Sequence, residues 1–123
     1  MKYYTEAADP GLRERLEEEL LSWPKVNKRM MFGCPSYQAA GRLFAFLVDA
    51  GVVITHLRKA DREVLSQHCE IEPFQAGERT IERWGQITVN DERDLRYVLP
   101  YVRRSYEEAL GRASDIWGED EGP

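Results

Sequence analysis

Residues 30–57, MMFGCPSYQAAGRLFAFLVDAGVVITHL, decide the fold of this chain. They hold its densest apolar run, and turn residues cut that run into short pieces rich in β-branched and aromatic side chains. RLFAFLV (42–48) and VVITHL (52–57) read as a hairpin around Asp49-Ala50-Gly51, a three-residue loop in which Gly51 takes the positive φ. In the first of these runs Leu43, Ala45 and Leu47 alternate with Phe44, Phe46 and Val48. Both faces are therefore apolar, which marks a central strand. Upstream, Met30-Met31-Phe32 reads as a strand closed by Gly33-Cys34-Pro35-Ser36. A short strand at 37–40 then ends at Gly41. Short turns between such strands imply an antiparallel meander.

Helical patterns flank this centre. Asp9 and Pro10 form an N-terminal cap and first turn, and Leu12, Leu16 and Leu20 recur every four residues, widened by Leu21 and Trp23, before Pro24 stops the helix. The acidic residues Glu14, Glu17, Glu18 and Glu19 read as its wet face. KVNKR (25–29) is a polar connection into the sheet. Downstream, Asp61 caps a short helix over 62–69, and 70–77 form a loop from which Phe74 returns to the core. Residues 80–89 then make a strand whose Gly85 signals a bulge or a close backbone approach. Asn90 caps the last helix, whose stripe runs from Leu95 to Leu110. Pro100 kinks or breaks this helix, Arg103 and Arg104 complement its dipole, and Gly111 ends it.

The fold expected is α+β: an antiparallel meander of about five strands with an N-terminal, a middle and a kinked C-terminal helix packed on it. A chain of 123 residues with 42% apolar and 32% charged residues is one domain, placed at 1–112, with an acidic tail at 113–123 that has little to bury. There is no apolar segment behind a basic start and no apolar window long enough for a membrane span, so the expected location is the cytoplasm. A net charge of -5 argues against a dedicated duplex binder, which would carry a basic surface.

Chemistry is much less legible, because no set of residues has the types and spacing that a known reaction requires. Dinucleotide, phosphate-loop, zinc-protease and serine-hydrolase motifs do not occur, and no cofactor or metal is expected. Cys34 is the candidate reactive thiol, with Lys28 and Arg29 near in sequence to favour the thiolate; the plainer reading is a small turn or core residue. A base for it would have to be His56 or His68, and neither has a sequence context that places it there. His56 reads as an outward or satisfied polar residue, and His68 beside Cys69 lacks the second ligand pair of a zinc site. Tyr37, Phe44 and Trp84 could stack a base or simply fill the core. Lys28, Arg29, Arg58, Lys59 and Arg62, together with Lys25, lie near strand ends that a meander could gather into one phosphate-binding rim; the alternative is scattered surface charge.

Phe32-Gly33, Tyr37, Gly41, the run at 42–57, Pro73-Phe74, the strand around Trp84 and a last helix with Asp94-Leu95 and Ser105-Tyr106 together resemble a known family. The chain is similar, over about residues 12–111, to the N-terminal domain of TfoX-type proteins and to the related MmcQ/YjbR group. The resemblance implies an α+β domain in a family named for regulators of bacterial competence genes. The function it implies is a non-enzymatic binding or regulatory module, acting through a protein partner or a weak nucleic-acid contact. Cys34-Pro35 stands where the family has a second glycine. The regulators' C-terminal helical domain is longer than residues 113–123, so the resemblance implies a module and not the whole regulator's role. A small enzyme or ligand-binding protein using Cys34 or a cleft beside the sheet is the alternative.

Overall fold

A computed structural model describes the backbone of Tyr4 and of residues 10–120, and the side chains of Tyr4 and of residues 11–111. The expected cap Asp9 lies outside the described residues. The elements run α1 (Pro10–Leu20), β1 (Val26–Met31), β2 (Cys34–Ala39), β3 (Arg42–Val48), β4 (Gly51–Ile54), α2 (Lys59–Leu65), β5 (Ile71–Ala76), β6 (Arg79–Thr88) and α3 (Glu92–Asp120). The fold is α+β, with a six-stranded antiparallel sheet in the order β1-β2-β3-β4-β6-β5.

The sheet differs from the expected meander in two places. KVNKR is not a connection, because residues 26–31 form the edge strand β1, paired from Val26↔Ala39 to Met31↔Cys34. Edge strands are polar on their open side, so no hydrophobic alternation announces them. Residues 70–77 are likewise not a loop: β5 pairs outside β6, after the chain has crossed over through α2. Cys34, Pro35 and Ser36 consequently lie in β2 and are buried, not in a turn.

Left-handed pairs close the first two hairpins, Phe32 (φ 54) with Gly33 (φ 76) and Ala40 (φ 50) with Gly41 (φ 86). Two successive positive φ values match the twist of the flanking strands. Gly51 is special for another reason. Its φ is not left-handed, but a Cβ there would lie 2.1 Å from the carbonyl oxygen of Ile87 and 2.8 Å from the nitrogen of Val89. It is the first residue of β4, pairs with Val48 and Thr88, and leaves a two-residue loop of Asp49 and Ala50.

Two bulges shape the sheet. Tyr37 pairs with Ala45 and Gln38 with Leu43, which leaves Phe44 unopposed. Its ring turns to the helical side, with centroids 6.2 Å from Trp23 and 5.5 Å from Tyr106. In β6, Gly85 pairs with Pro73 and Ile81 with Phe74, so Glu82, Arg83 and Trp84 bulge just before Gly85, as that glycine implied.

Helix α3 packs on β2, β3 and β4, and α1 lies against it. Leu12, Leu16 and Leu20 of α1 are buried, whereas Leu21 is 43% exposed and lies past the helix end. Ser105 of α3 is fully buried; its hydroxyl donates to the carbonyl of Phe44 (2.7 Å), which the Thr55 amide also reaches (3.2 Å), and accepts from the His56 amide (3.1 Å). The neighbouring Tyr106 donates to the carbonyl of Pro24. Ser105 thus bolts α3 to the bulged sheet, and Tyr106 ties it to the α1–β1 connection.

Helix termini also depart from the sequence reading. Asp91, not Asn90, caps α3, accepting from the Asp94 amide, while the Asp94 carboxylate accepts from the Asn90 amide. The helix runs through Pro100 and Gly111 to Asp120, so neither ends it. Arg103 and Arg104 are therefore mid-helix; Arg103 lies 4.9 Å above the Trp23 and Tyr106 rings, and Arg104 pairs with Asp61 at 2.6 Å. Helix α2 starts at Lys59, with Arg58 in the cap position and no side-chain cap, and leaves Asp61 to Arg104. Among the described residues no helix is long and apolar enough to cross a membrane.

Candidate functional site: an arginine-lined cleft at the end of the sheet

The six cations expected at one rim are not all gathered there. Lys28 and Arg29 occupy edge strand β1, which β2 and β3 separate from β4, roughly 15 Å at about 4.8 Å per strand. They also face opposite ways. Lys28 shares the helical face with Tyr37 and pairs with Glu17 at 3.2 Å, whereas Arg29 is in register with Ser36 on the other face. Arg62 is half-buried and its guanidinium donates to the Glu82 carbonyl in the β6 bulge (2.8 Å). Lys59 is exposed at the start of α2.

Of these cations, Arg58 reaches a concave surface. It lines a cleft of about 550 Å³ with Arg42, Arg83, Thr55, His56, Trp84 and Glu108. Three elements bring the arginines together. Arg42 opens β3 directly after the Ala40-Gly41 turn, Arg58 follows the end of β4, and Arg83 sits in the β6 bulge. The floor is tied down by hydrogen bonds. Thr55 Oγ1 donates to the Leu43 carbonyl (2.9 Å) and lies 3.2 Å from His56 Nδ1, while the His56 amide is held by Ser105. A second hollow of about 340 Å³ shares His56, Arg58 and Glu108 and continues to Asp61, Arg104 and Glu107.

With three arginines against one glutamate, the first cleft is locally cationic on a chain whose net charge is -5. Guanidiniums stay charged at all physiological pH values and present forked donors that match phosphate or carboxylate oxygens. Trp84 adds an aromatic edge, since it is only half-buried and packs on Phe46 at 5.7 Å and on Phe74 at 6.0 Å. Of the stacking candidates, Tyr37 and Phe44 are fully buried and belong to the core. Nothing local in the sequence connects Arg42 and Arg83 with Arg58. The signals that do exist are their positions beside Gly41 and Gly85.

Cys34 does not have the environment of an activated thiol. It is 1% exposed, with its sulfur 3.8 Å from the Phe32 carbonyl oxygen. Burial pushes its pKa up, and Asp49 pushes the same way, opposite to the effect expected of Lys28 and Arg29. Lys28 is engaged with Glu17 on the other face. Cys69 is also free, and burial, then Asp94, raises it too. His68 stacks on Tyr97 at 4.4 Å. Among the described residues no group of three or more His, Cys, Asp or Glu side chains is placed to hold a metal ion.

Comparison of the chain with protein-family models, with curated proteins and with solved structures finds no match.

Proposed function

We propose that this chain is a non-enzymatic binding module that holds a phosphate-bearing single strand of nucleic acid in the cleft between Arg42, Arg58 and Arg83. The observation that carries the reading is the presence of these three arginines and the half-buried Trp84 in the lining of one cleft. Cations that track phosphates, next to an aromatic face on which a base can stack, are what sequence-tolerant single-strand recognition uses. The overall negative charge works against long duplexes and suits a short, local contact. The resemblance to the TfoX N-terminal domain supports a regulatory and not a catalytic role for such a module.

A protein partner is the second reading. It is favoured by Met30 and Phe32, 55% and 80% exposed on and just beyond the open edge strand β1, where an extended segment could add to the sheet.

Labelled single-stranded DNA and RNA titrated at rising salt test the first reading. Three phosphate contacts imply a log-log slope of about -2, hence roughly a 15- to 20-fold loss of affinity for a fourfold rise in salt. The variant R42A/R58A/R83A loses this binding and K28A/R29A keeps it. Equal binding by the two variants refutes the cleft, and no binding at low salt turns the search to protein partners.

A further inference from the structure

An apolar cavity lies on the sheet face opposite α3 and is separate from the arginine cleft except for a shared wall. Its volume is about 420 Å³, within the usual range for small-molecule sites. Its lining comes from both edges of the sheet: Met31 and Phe32 from the β1–β2 turn, and Phe74, Gly77 and Arg79 from the β5–β6 hairpin. Residues so far apart in strand order meet around one cavity only if the sheet curls over it. The two bulges provide that curl, because a bulge bends its strand and increases the local twist.

The chemistry of the lining is one-sided. Phe46, Phe74 and Trp84 stand edge to face or tilted, with centroids 5.1 to 6.0 Å apart, and form an aromatic wall. Ser36 already donates its hydroxyl proton to the Cys34 carbonyl, so it offers only an acceptor. Arg79 is the one charged residue among those lining the cavity. It is exposed, and it forms none of the ion pairs found among the described residues. Gly77 (φ +65) makes the turn that sets Arg79 opposite Ala76, both of them in the lining. Phe32, 80% exposed and held at a left-handed φ of 54, belongs to the same lining.

We propose that this cavity is a binding site for a small amphipathic carboxylic acid, its apolar body against Phe46, Phe74 and Trp84 and its carboxylate on the Arg79 guanidinium. Charge complementarity selects this class. A neutral apolar molecule leaves Arg79 unused, a cation meets like charge, and a polyanion has no second basic residue in the lining to pair with.

The test uses the full chain and three probes of equal chain length, decanoate, decanol and decyltrimethylammonium, all below their micelle concentrations, with affinity read by calorimetry. Decanoate binds at one site and more tightly than either comparator. Arg79→Ala weakens decanoate roughly 10- to 100-fold, the loss of a charge-assisted hydrogen bond, and leaves decanol unchanged. Ala76→Phe, placed in the lining, abolishes binding of decanoate and decanol together. Circular dichroism and thermal melting establish that both variants are folded. Decanoate binding no tighter than decanol, an unchanged affinity in Arg79→Ala, or no binding of decanoate at all overturns the proposal. The R42A/R58A/R83A variant binds decanoate as the parent does, so this site fails or stands independently of the nucleic-acid reading.

Discussion

Glu17 and Tyr37 show how single residues bear on stability here. Tyr37 is fully buried and its hydroxyl donates to Glu17 at 2.8 Å, while Arg13 and Lys28 hold the same carboxylate at 3.0 and 3.2 Å. Burial alone raises the Glu17 pKa, but the hydrogen bonds from Tyr37, Arg13 and Lys28 outweigh it and leave the group below the usual range. Burial, then the bond to Glu17, pushes the Tyr37 phenol upward, so it remains a donor. A carboxylate whose pKa is lower folded than unfolded stabilises above the unfolded value, and that contribution is lost as pH falls through the folded value. Tyr37→Phe therefore costs about 1.5–3 kcal/mol at about pH 7, and the difference from the parent shrinks at about pH 3, measured by urea unfolding. Gly51→Ala drives a Cβ into backbone atoms of β6 and Val89 and costs about 1–3 kcal/mol or more by the same measurement. Gly51 and Gly85 were both legible as special positions, but for Gly51 the reason was spatial. Close approach to Ile87 cannot be read from its neighbours in the chain.

At the scale of elements, the junction between α3 and the β3 bulge is the vulnerable point. Ser105→Ala removes one atom and leaves the Phe44 carbonyl with only the Thr55 amide and the His56 amide with no hydroxyl to donate to. The expected cost is about 1–3 kcal/mol, read as a lower urea midpoint with an unchanged slope. The helices and the strands β3, β4 and β6 could be found from hydrophobic period and turn residues. Strand β1 is legible only at its Met30-Met31 end and β5 not at all, because VNKRMM and IEPFQA carry no clean alternation and Pro73 argues locally against a strand. Both lie at the edges, where pairing with β2 or β6 supplies what propensity does not. The type of the first two turns was hidden for a related reason: Phe32 and Ala40 adopt positive φ values that normally select Asn, Asp or Gly. The continuation of α3 past Gly111 shows that a glycine is a permitted stop and not an obligatory one.

For the whole molecule, the sheet divides two environments, a helical face that carries stability and an end and opposite face that carry open space. The α+β architecture and its central hairpin were readable from residues 30–57, since one dense apolar run has few ways to be buried. The site was readable only in part. Arg58 was recognised as basic and near a strand end, whereas Arg42 and Arg83 reach it through strand order and a bulge, neither of which is encoded locally. A meander could fold Lys28 and Arg29 onto the same end as Arg58, but β1 is an edge strand and turns them to opposite faces. The central claim is that anions are taken up at the Arg42–Arg58–Arg83 cleft. Arginine side-chain and backbone amide resonances, followed by NMR as a short single-stranded oligonucleotide is added, test it most directly. Shifts concentrated at Arg42, His56, Arg58, Arg83 and the Trp84 indole, and suppressed by salt, are the predicted result. Shifts confined to β1, or spread evenly over the surface lysines and arginines, contradict it.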